Sequence, residues 1–210
     1  MLFRDRNEAG QRLAHALAEF DGQRVVVYAL PRGGVVLGVA VAKALHAPLD
    51  LLVARKIGHP DFPEYAICAV SEADGLVCNE QERARVDPAW FAMAVARERQ
   101  EAARRRERYL TGRPSVPVEG KIAILIDDGI ATGLTMRAAI AEVKTRHPSQ
   151  VIVAIPVIPP ETAVALRGEV DRIVALEIPE IFRGAVGAYY QDFHPVTDDE
   201  VMRLMREASA

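Results

Sequence analysis

Cysteine is almost absent: Cys68 and Cys78 are the only two in 210 residues. Two thiols exclude a disulfide-stapled scaffold, and their spacing is not that of a metal site. Buried or reduced single thiols are expected, with a thiol pair as the alternative. No apolar run reaches about 18 residues without a charge or a turn residue, so no membrane span is expected. The start, Met1-Leu-Phe-Arg-Asp-Arg6, carries charges where a secretory signal needs an apolar stretch. No single sign of charge dominates either. The 26 Lys and Arg stand against 29 Asp and Glu, for a net charge of −3, which leaves no electrostatic footprint for nucleic acid. Internal repeats, low-complexity tracts and the two common nucleotide loops, G-x-x-x-x-G-K-[ST] and G-x-G-x-x-G, are missing as well. What remains is a chain of ordinary globular composition, 50% hydrophobic and 26% charged, expected to be cytoplasmic. Its length fits a single domain, 1–210.

The apolar pattern alternates strand and helix. Residues 6–20 carry Ala9, Leu13, Ala16, Leu17 and Phe20 at helical spacing, and Asp21-Gly22 ends that helix. Arg24 to Leu30 is a β-branched run that reads as a strand buried on both faces. Residues 35–46 read as a helix and Leu49 to Ala54 as the next strand, which together make a βαβ unit. Ile57 to Tyr65 should be a mobile loop, with 66–70 pairing to 76–78. Asp87-Pro88 is a helix start, an N-cap followed by Pro at the first helical position. The helix should run to about Tyr109, and its interleaved Arg and Glu between 97 and 108 read as a solvated face. A linker, 112–120, leads to a second βαβ series: strand 121–126, helix 132–146, strand 150–155, helix 159–168 and strand 172–176. A short helix from Asp198 to about Ala208 closes the chain. The fold class is therefore α/β, an open, mostly parallel twisted sheet flanked by helices. Its core is about 24–178, with a mobile flap at about 57–75, a helical insertion at about 87–111 and a C-terminal hood at about 179–210.

Two strand ends carry chemistry. The first is Leu125-Ile-Asp127-Asp128-Gly129-Ile130-Ala131-Thr132-Gly133-Leu134-Thr135. A buried strand delivers two carboxylates to the carboxyl edge of a parallel sheet, where ligands bind in such folds. The helix that follows offers unpaired N–H groups and a positive dipole end, which suit a phosphate. Asp127 and Asp128 cannot bind phosphate; they suit vicinal hydroxyls, a divalent cation or a developing positive charge. The competing reading is an N-cap cluster, which would suffice for a lone Asp-Asp. The second is Pro31-Arg32-Gly33-Gly34, where two glycines and a guanidinium open another helix and suit a second anion.

The 122–135 segment resembles the motif of the type I phosphoribosyltransferases that binds 5-phosphoribosyl-1-pyrophosphate (PRPP). Asp127, Asp128, Thr132, Gly133 and Thr135 fall on motif positions; Leu134 departs from the Gly of many members. The resemblance implies that the acidic pair contacts the ribose hydroxyls, and Mg²⁺ directly or through water. It implies that the loop from Gly129 through Ile130 and Ala131 to Thr135 wraps the 5′-phosphate. Arg32, Gly33 and Gly34 resemble the family's pyrophosphate loop, which implies a strained cis peptide near Arg32-Gly33. Arg55-Lys56 resembles the orotate-type members, in which a lysine reaches the pyrophosphate, so Lys56 joins the acidic pair as a catalytic candidate. The 57–75 segment fits the family's closing flap, with Glu64 and Tyr65 as contacts. Leu-Pro-Arg-Gly-Gly, Arg-Lys-Ile-Gly and Val186-Gly-Ala-Tyr-Tyr190 are similar to stand-alone bacterial members without an assigned base.

The implied reaction is Mg²⁺-dependent transfer of phosphoribose to a nitrogenous acceptor with release of pyrophosphate. Ala131 stands where 6-oxopurine enzymes usually have Asp, which disfavours a 6-oxopurine acceptor. Phe182, Tyr189, Tyr190 and Phe193 are candidates to stack on a flat base, or else the core of the hood. The alternatives are a PRPP-binding regulator and a PRPP hydrolase. Expected partners are PRPP and a small acceptor, without nucleic acid or membrane; a homodimer is left open.

Overall fold

The computed structural model describes residues 2–73 and 75–208, so position 74 of the flap segment and the last two residues of the hood lie outside it. Among the described residues, eight strands occur in chain order: β1 (Val25–Ala29), β2 (Leu49–Leu51), β3 (Ala54–Gly58), β4 (Ala66–Ser71), β5 (Leu76–Cys78), β6 (Ile122–Ile126), β7 (Gln150–Val157) and β8 (Arg172–Glu177). The α-helices are α1 (Arg6–Ala16), α2 (Gly33–Ala44), α3 (Glu80–Arg83), α4 (Pro88–Leu110), α5 (Leu134–Lys144), α6 (Pro160–Arg167) and α7 (Asp198–Glu207). Five strands form a parallel sheet in the order β2-β1-β6-β7-β8.

Every residue of β1 and β6 is buried, because helices cover both faces. Alternation along β6 divides the core. Ile122, Ile124 and Ile126 face the layer of α1, α2 and α7, with Leu13, Leu37, Val41, Val201 and Met205. Ala123 and Leu125 face α5 and α6, with Met136, Ile140, Ala163 and Leu166. Burying a side chain such as Ile124 stabilises the fold by roughly 1.5–3 kcal/mol, and truncation to Ala would cost about 2–5 kcal/mol. Helix starts follow local chemistry: the Asp87 carboxylate accepts the Trp90 N–H ahead of Pro88 in α4.

Three expectations need correction. The run 49–54 is not one strand: β2 ends at Leu51, and Ala54 begins β3 of a separate antiparallel sheet, β3-β4-β5, that packs on α5 and α4. Ile57 and Gly58 consequently pair with β4, and the loop shrinks to 59–65. Cys68 and Cys78 are not single thiols. The β4–β5 register sets them directly opposite, with Cα atoms 4.0 Å apart, and they form a disulfide. That juxtaposition is made by strand register, which sequence spacing does not specify. Finally, the Arg-rich stretch of α4 is only partly a solvated face. Glu101 pairs with Arg104 and Arg105 at the surface, but Arg106 turns inward and meets the buried Asp50 at 2.7 Å.

Candidate functional site

The strand order places the site. The chain steps from β1 to β2 in one direction and to β6, β7 and β8 in the other, so the crevice between the carboxyl ends of β1 and β6 is a topological switch point. The loop after β1 is Leu30 to Arg32, whose Pro31–Arg32 peptide is cis, one bond before the expected position. The loop after β6 is Asp127 to Gly133. The two touch. A β-carbon on Gly33 would lie 1.9 Å from Asp128 Oδ2, and one on Gly34 would lie 2.7 Å from the Ile126 carbonyl oxygen. At Gly34 the obstacle is backbone, and at Gly33 a side chain would have to displace the Asp128 carboxylate.

The loop after β6 leaves a run of backbone N–H groups open. Gly133, at φ 79°, caps α5 in the left-handed conformation, so α5 begins at Leu134 and not at Thr132. The Ile130 N–H donates to the Val157 carbonyl, which anchors the loop to β7. Among the described residues, the N–H groups of 131 to 136 find no partner, and the first intrahelical bond comes from Arg137 to Gly133. Six successive free donors at a helix N-terminus make an anion-binding concavity. Thr162 Oγ1, from α6, donates to the Ala131 carbonyl at 2.8 Å and holds the loop's outer side.

The acidic pair is partly buried and asymmetric. Asp127 Oδ1 accepts the Asp128 N–H at 2.8 Å. Removal from water, and then the neighbouring Asp128 charge, push the Asp127 carboxyl well above the usual carboxylate range. Asp128 instead has a cation: Arg6 Nε lies 2.8 Å from Asp128 Oδ2. The Asp128 carbonyl accepts the Tyr190 hydroxyl at 2.6 Å. The two carboxyls also hydrogen-bond to each other side chain to side chain, which adds to the upward push on Asp127. No cluster of three or more His, Cys, Asp or Glu converges among the described residues. Two carboxyls, one of them already paired with Arg6, are too few to hold a divalent cation by themselves.

The other candidates divide. Lys56 is exposed on β3, whereas Arg55 points the opposite way and binds the buried Glu98 of α4 at 2.8 Å. Arg32 is half-exposed, with Nη1 3.7 Å from Asp198 Oδ1 at the start of α7. Asp198 is itself held by the Tyr109 hydroxyl at 2.7 Å and Arg108 at 2.8 Å, and these partners keep it below the usual carboxylate range. Glu64 and Tyr65 are exposed at the 59–65 turn. In the hood, Tyr189 and Tyr190 are buried. Tyr190 is sandwiched between Phe3 at 5.4 Å and Phe193 at 4.8 Å, and Tyr189 stacks on Phe182 at 5.5 Å. In this arrangement neither tyrosine offers an open face, and Phe182 is the more accessible ring.

Arg6 and Asp198 were not foreseen. Both act across more than 80 residues of chain, where local patterning is silent. The one local hint at Arg6 is a charge at the first position of an otherwise amphipathic helix.

These features have relatives. The family model "Phosphoribosyl transferase domain" matches residues 6–192. Two Mycobacterium tuberculosis proteins, "Putative phosphoribosyl transferase MT0597" of strain CDC 1551 and "Putative phosphoribosyl transferase Rv0571c" of strain H37Rv, are each 40% identical over 209 residues. Each alignment covers 99% of this chain and 47% of the relative, so the chain spans about half the length of those proteins. The crystal structure of TT1426 from Thermus thermophilus is 42% identical, with a TM-score of 0.83 and 99% of both chains covered. No helix among the described residues is long and apolar enough to cross a membrane. With a family model spanning both strand-end loops and similarity to these relatives along 99% of the chain, the chain belongs to the phosphoribosyl transferase domain family.

Proposed function

We propose that the chain binds PRPP with Mg²⁺ and transfers its phosphoribosyl group to a nitrogenous acceptor. The observation that carries this reading is the meeting of two anion loops around one acidic pair. Six free amides suit the 5′-phosphate, Asp127 and Asp128 suit the ribose hydroxyls, and Arg32-Gly33-Gly34 abuts them where pyrophosphate would lie. A single ligand with phosphate, diol and diphosphate in that order satisfies all three. In the reaction, the acceptor nitrogen bonds to C1 of the ribose as the C1–O bond to pyrophosphate breaks. The bonding pair leaves with pyrophosphate, and the acceptor's proton passes to solvent.

The protein's part is positioning and charge complementarity. The carboxylates sit on the side where positive charge grows on the ribose. Arg32 and Lys56 supply positive charge for the leaving group, and Arg55 would join them only after releasing Glu98. Mg²⁺ on the diphosphate would neutralise it further. The flap tip, with Glu64 and Tyr65, closes the site against water. Ala131 leaves no side-chain base at the position 6-oxopurine enzymes use, so the acceptor is a different nitrogenous compound that enters beneath the hood near Phe182.

The test is pyrophosphate release from PRPP and Mg²⁺ across a panel of bases and small amines. Release that depends on one acceptor supports transfer. Acceptor-independent release would make the chain a hydrolase, and tight binding without turnover a PRPP-responsive regulator. The double variant Asp127→Asn/Asp128→Asn should lose PRPP binding; full retention would overturn the assignment.

A further inference from the structure

Arg6 occupies an unfavourable place for a cation. It is the first residue of α1, at the positive end of the helix dipole, and its side chain is only 10% exposed. Three groups offset that cost: Asp128 Oδ2 at 2.8 Å, the His194 carbonyl at 2.8 Å, and the Phe193 ring face 3.8 Å away. A buried ion pair of this kind gives little net stability compared with apolar residues of the same volume. Its placement therefore points to the site rather than to the core. The guanidinium fork is also specific: Nε takes the carboxylate while Nη1 takes the carbonyl, a division that the point charge of lysine cannot reproduce.

From this geometry we infer that Arg6 is a positioning residue of the donor site. It fixes Asp128 Oδ2 toward the N-terminal helix and so sets the orientation in which the carboxyl meets a ribose hydroxyl. The inference rests on the PRPP reading above. Two further contacts support it. The Tyr190 hydroxyl fixes the Asp128 carbonyl from the hood. Gly33 leaves just enough room for the pair, since a β-carbon there would approach Arg6 Nε to 3.0 Å. The N-terminal segment, the hood and both anion loops thus meet at one residue, Asp128. Arg6 also offsets one of two adjacent negative charges where a polyanionic donor must bind.

The experiment titrates ribose 5-phosphate and magnesium pyrophosphate separately, alongside magnesium PRPP, into wild type, Arg6→Met, Arg6→Lys and Arg6→Ala. Arg6→Met and Arg6→Ala should weaken ribose 5-phosphate by about tenfold or more, as expected of a displaced contact group. Magnesium pyrophosphate should bind within about twofold of wild type, Arg6→Lys should not restore the loss, and methylguanidinium should restore part of it in Arg6→Ala. Methylguanidinium also serves as the arm that remains if Arg6→Met fails to fold. Unchanged ribose 5-phosphate affinity in a folded variant, or equal loss of both ligands, overturns the positioning role alone. A wild-type protein that binds neither PRPP nor ribose 5-phosphate overturns the PRPP reading, and this inference with it.

Discussion

Gly33 and Asp128 are so close that a methyl group on the glycine would lie 1.9 Å from the aspartate Oδ2. Hydrogen is the only side chain that lets the loop after β1 pass the loop after β6 while Arg6 holds that same oxygen. In Gly33→Ala the Asp128 carboxylate must swing away from Arg6. We expect overpacking to cost about 1–3 kcal/mol. At about 2–4 °C per kcal/mol for a chain of this size, the loss is readable in a thermal melt, and PRPP affinity should fall with it. A variant that melts and binds like wild type would show that the loops do not depend on this contact.

The two carboxylates should respond oppositely to neutralisation. Asp127 is pushed up by burial and by its neighbour, so at neutral pH its charged form opposes folding, and Asp127→Asn should leave stability unchanged or raise it. Asp128 balances Arg6, whose side chain is 10% exposed. Asp128→Asn strands that cation, at a cost on the order of 2 kcal/mol. Urea unfolding of the two single variants at pH 7 measures the difference. Equal losses would mean that Arg6 is not the partner that distinguishes them.

Most of the candidate site was legible because its signals are local. An apolar run, two acids and a small-Thr-Gly turn stay together whatever the rest of the chain does, and so do Arg32 and the glycines after β1. What the sequence hid was set by register and distance. Strand β3 looked like the tail of β2 because Leu49 to Ile57 is continuously apolar except for Asp50, Arg55 and Lys56. Its change of sheet depends on pairing with β4. The disulfide needed the β4–β5 register. Arg6 needed a partner 122 positions away. For Tyr190 the sequence leaves a stacking ring and hood core equally open; its ring is packed on both sides and its hydroxyl holds the Asp128 loop.

A second buried cluster predicts a pH effect on stability. Glu72, at the β4–β5 turn, meets Arg106 of α4 at 3.2 Å and Arg146 at 3.6 Å, with Asp50 and Glu142 also facing the group. Three carboxyls share two guanidinium groups, and Glu72 Oε2 is buried without a partner among the described residues. Burial pushes the Glu72 carboxyl up to about 7, from an ordinary 4.5. Because the folded protein holds this proton more tightly than the unfolded chain, this group's contribution to stability is fully present below pH 4.5 and is lost as pH rises toward 7. The whole effect is at most ~3 kcal/mol. Glu72→Gln removes it, so the variant's stability relative to wild type should rise steadily between pH 4.5 and 7 and level off above. A difference independent of pH would place the proton elsewhere.

Neighbours on β3 should separate structure from function. Arg55 donates to Glu98 through Nε at 3.0 Å and Nη2 at 2.8 Å, and Glu98 is 8% exposed. Arg55→Met would leave that carboxylate with Arg97 alone, at a cost of roughly 2–3 kcal/mol, loosening β3 from α4. Lys56 faces the other way, is exposed and has no ion-pair partner among the described residues. Lys56→Met should therefore change stability by no more than about 0.5 kcal/mol. If Lys56 reaches the leaving pyrophosphate, the same substitution should lower pyrophosphate release by about tenfold or more, and the loss should be larger at low salt, where wild type gains most from the charge. Thermal melts paired with the release assay read both residues. An active, well-folded Lys56→Met would remove Lys56 from the reaction, and an undisturbed Arg55→Met would mean that apolar packing alone holds β3 against α4.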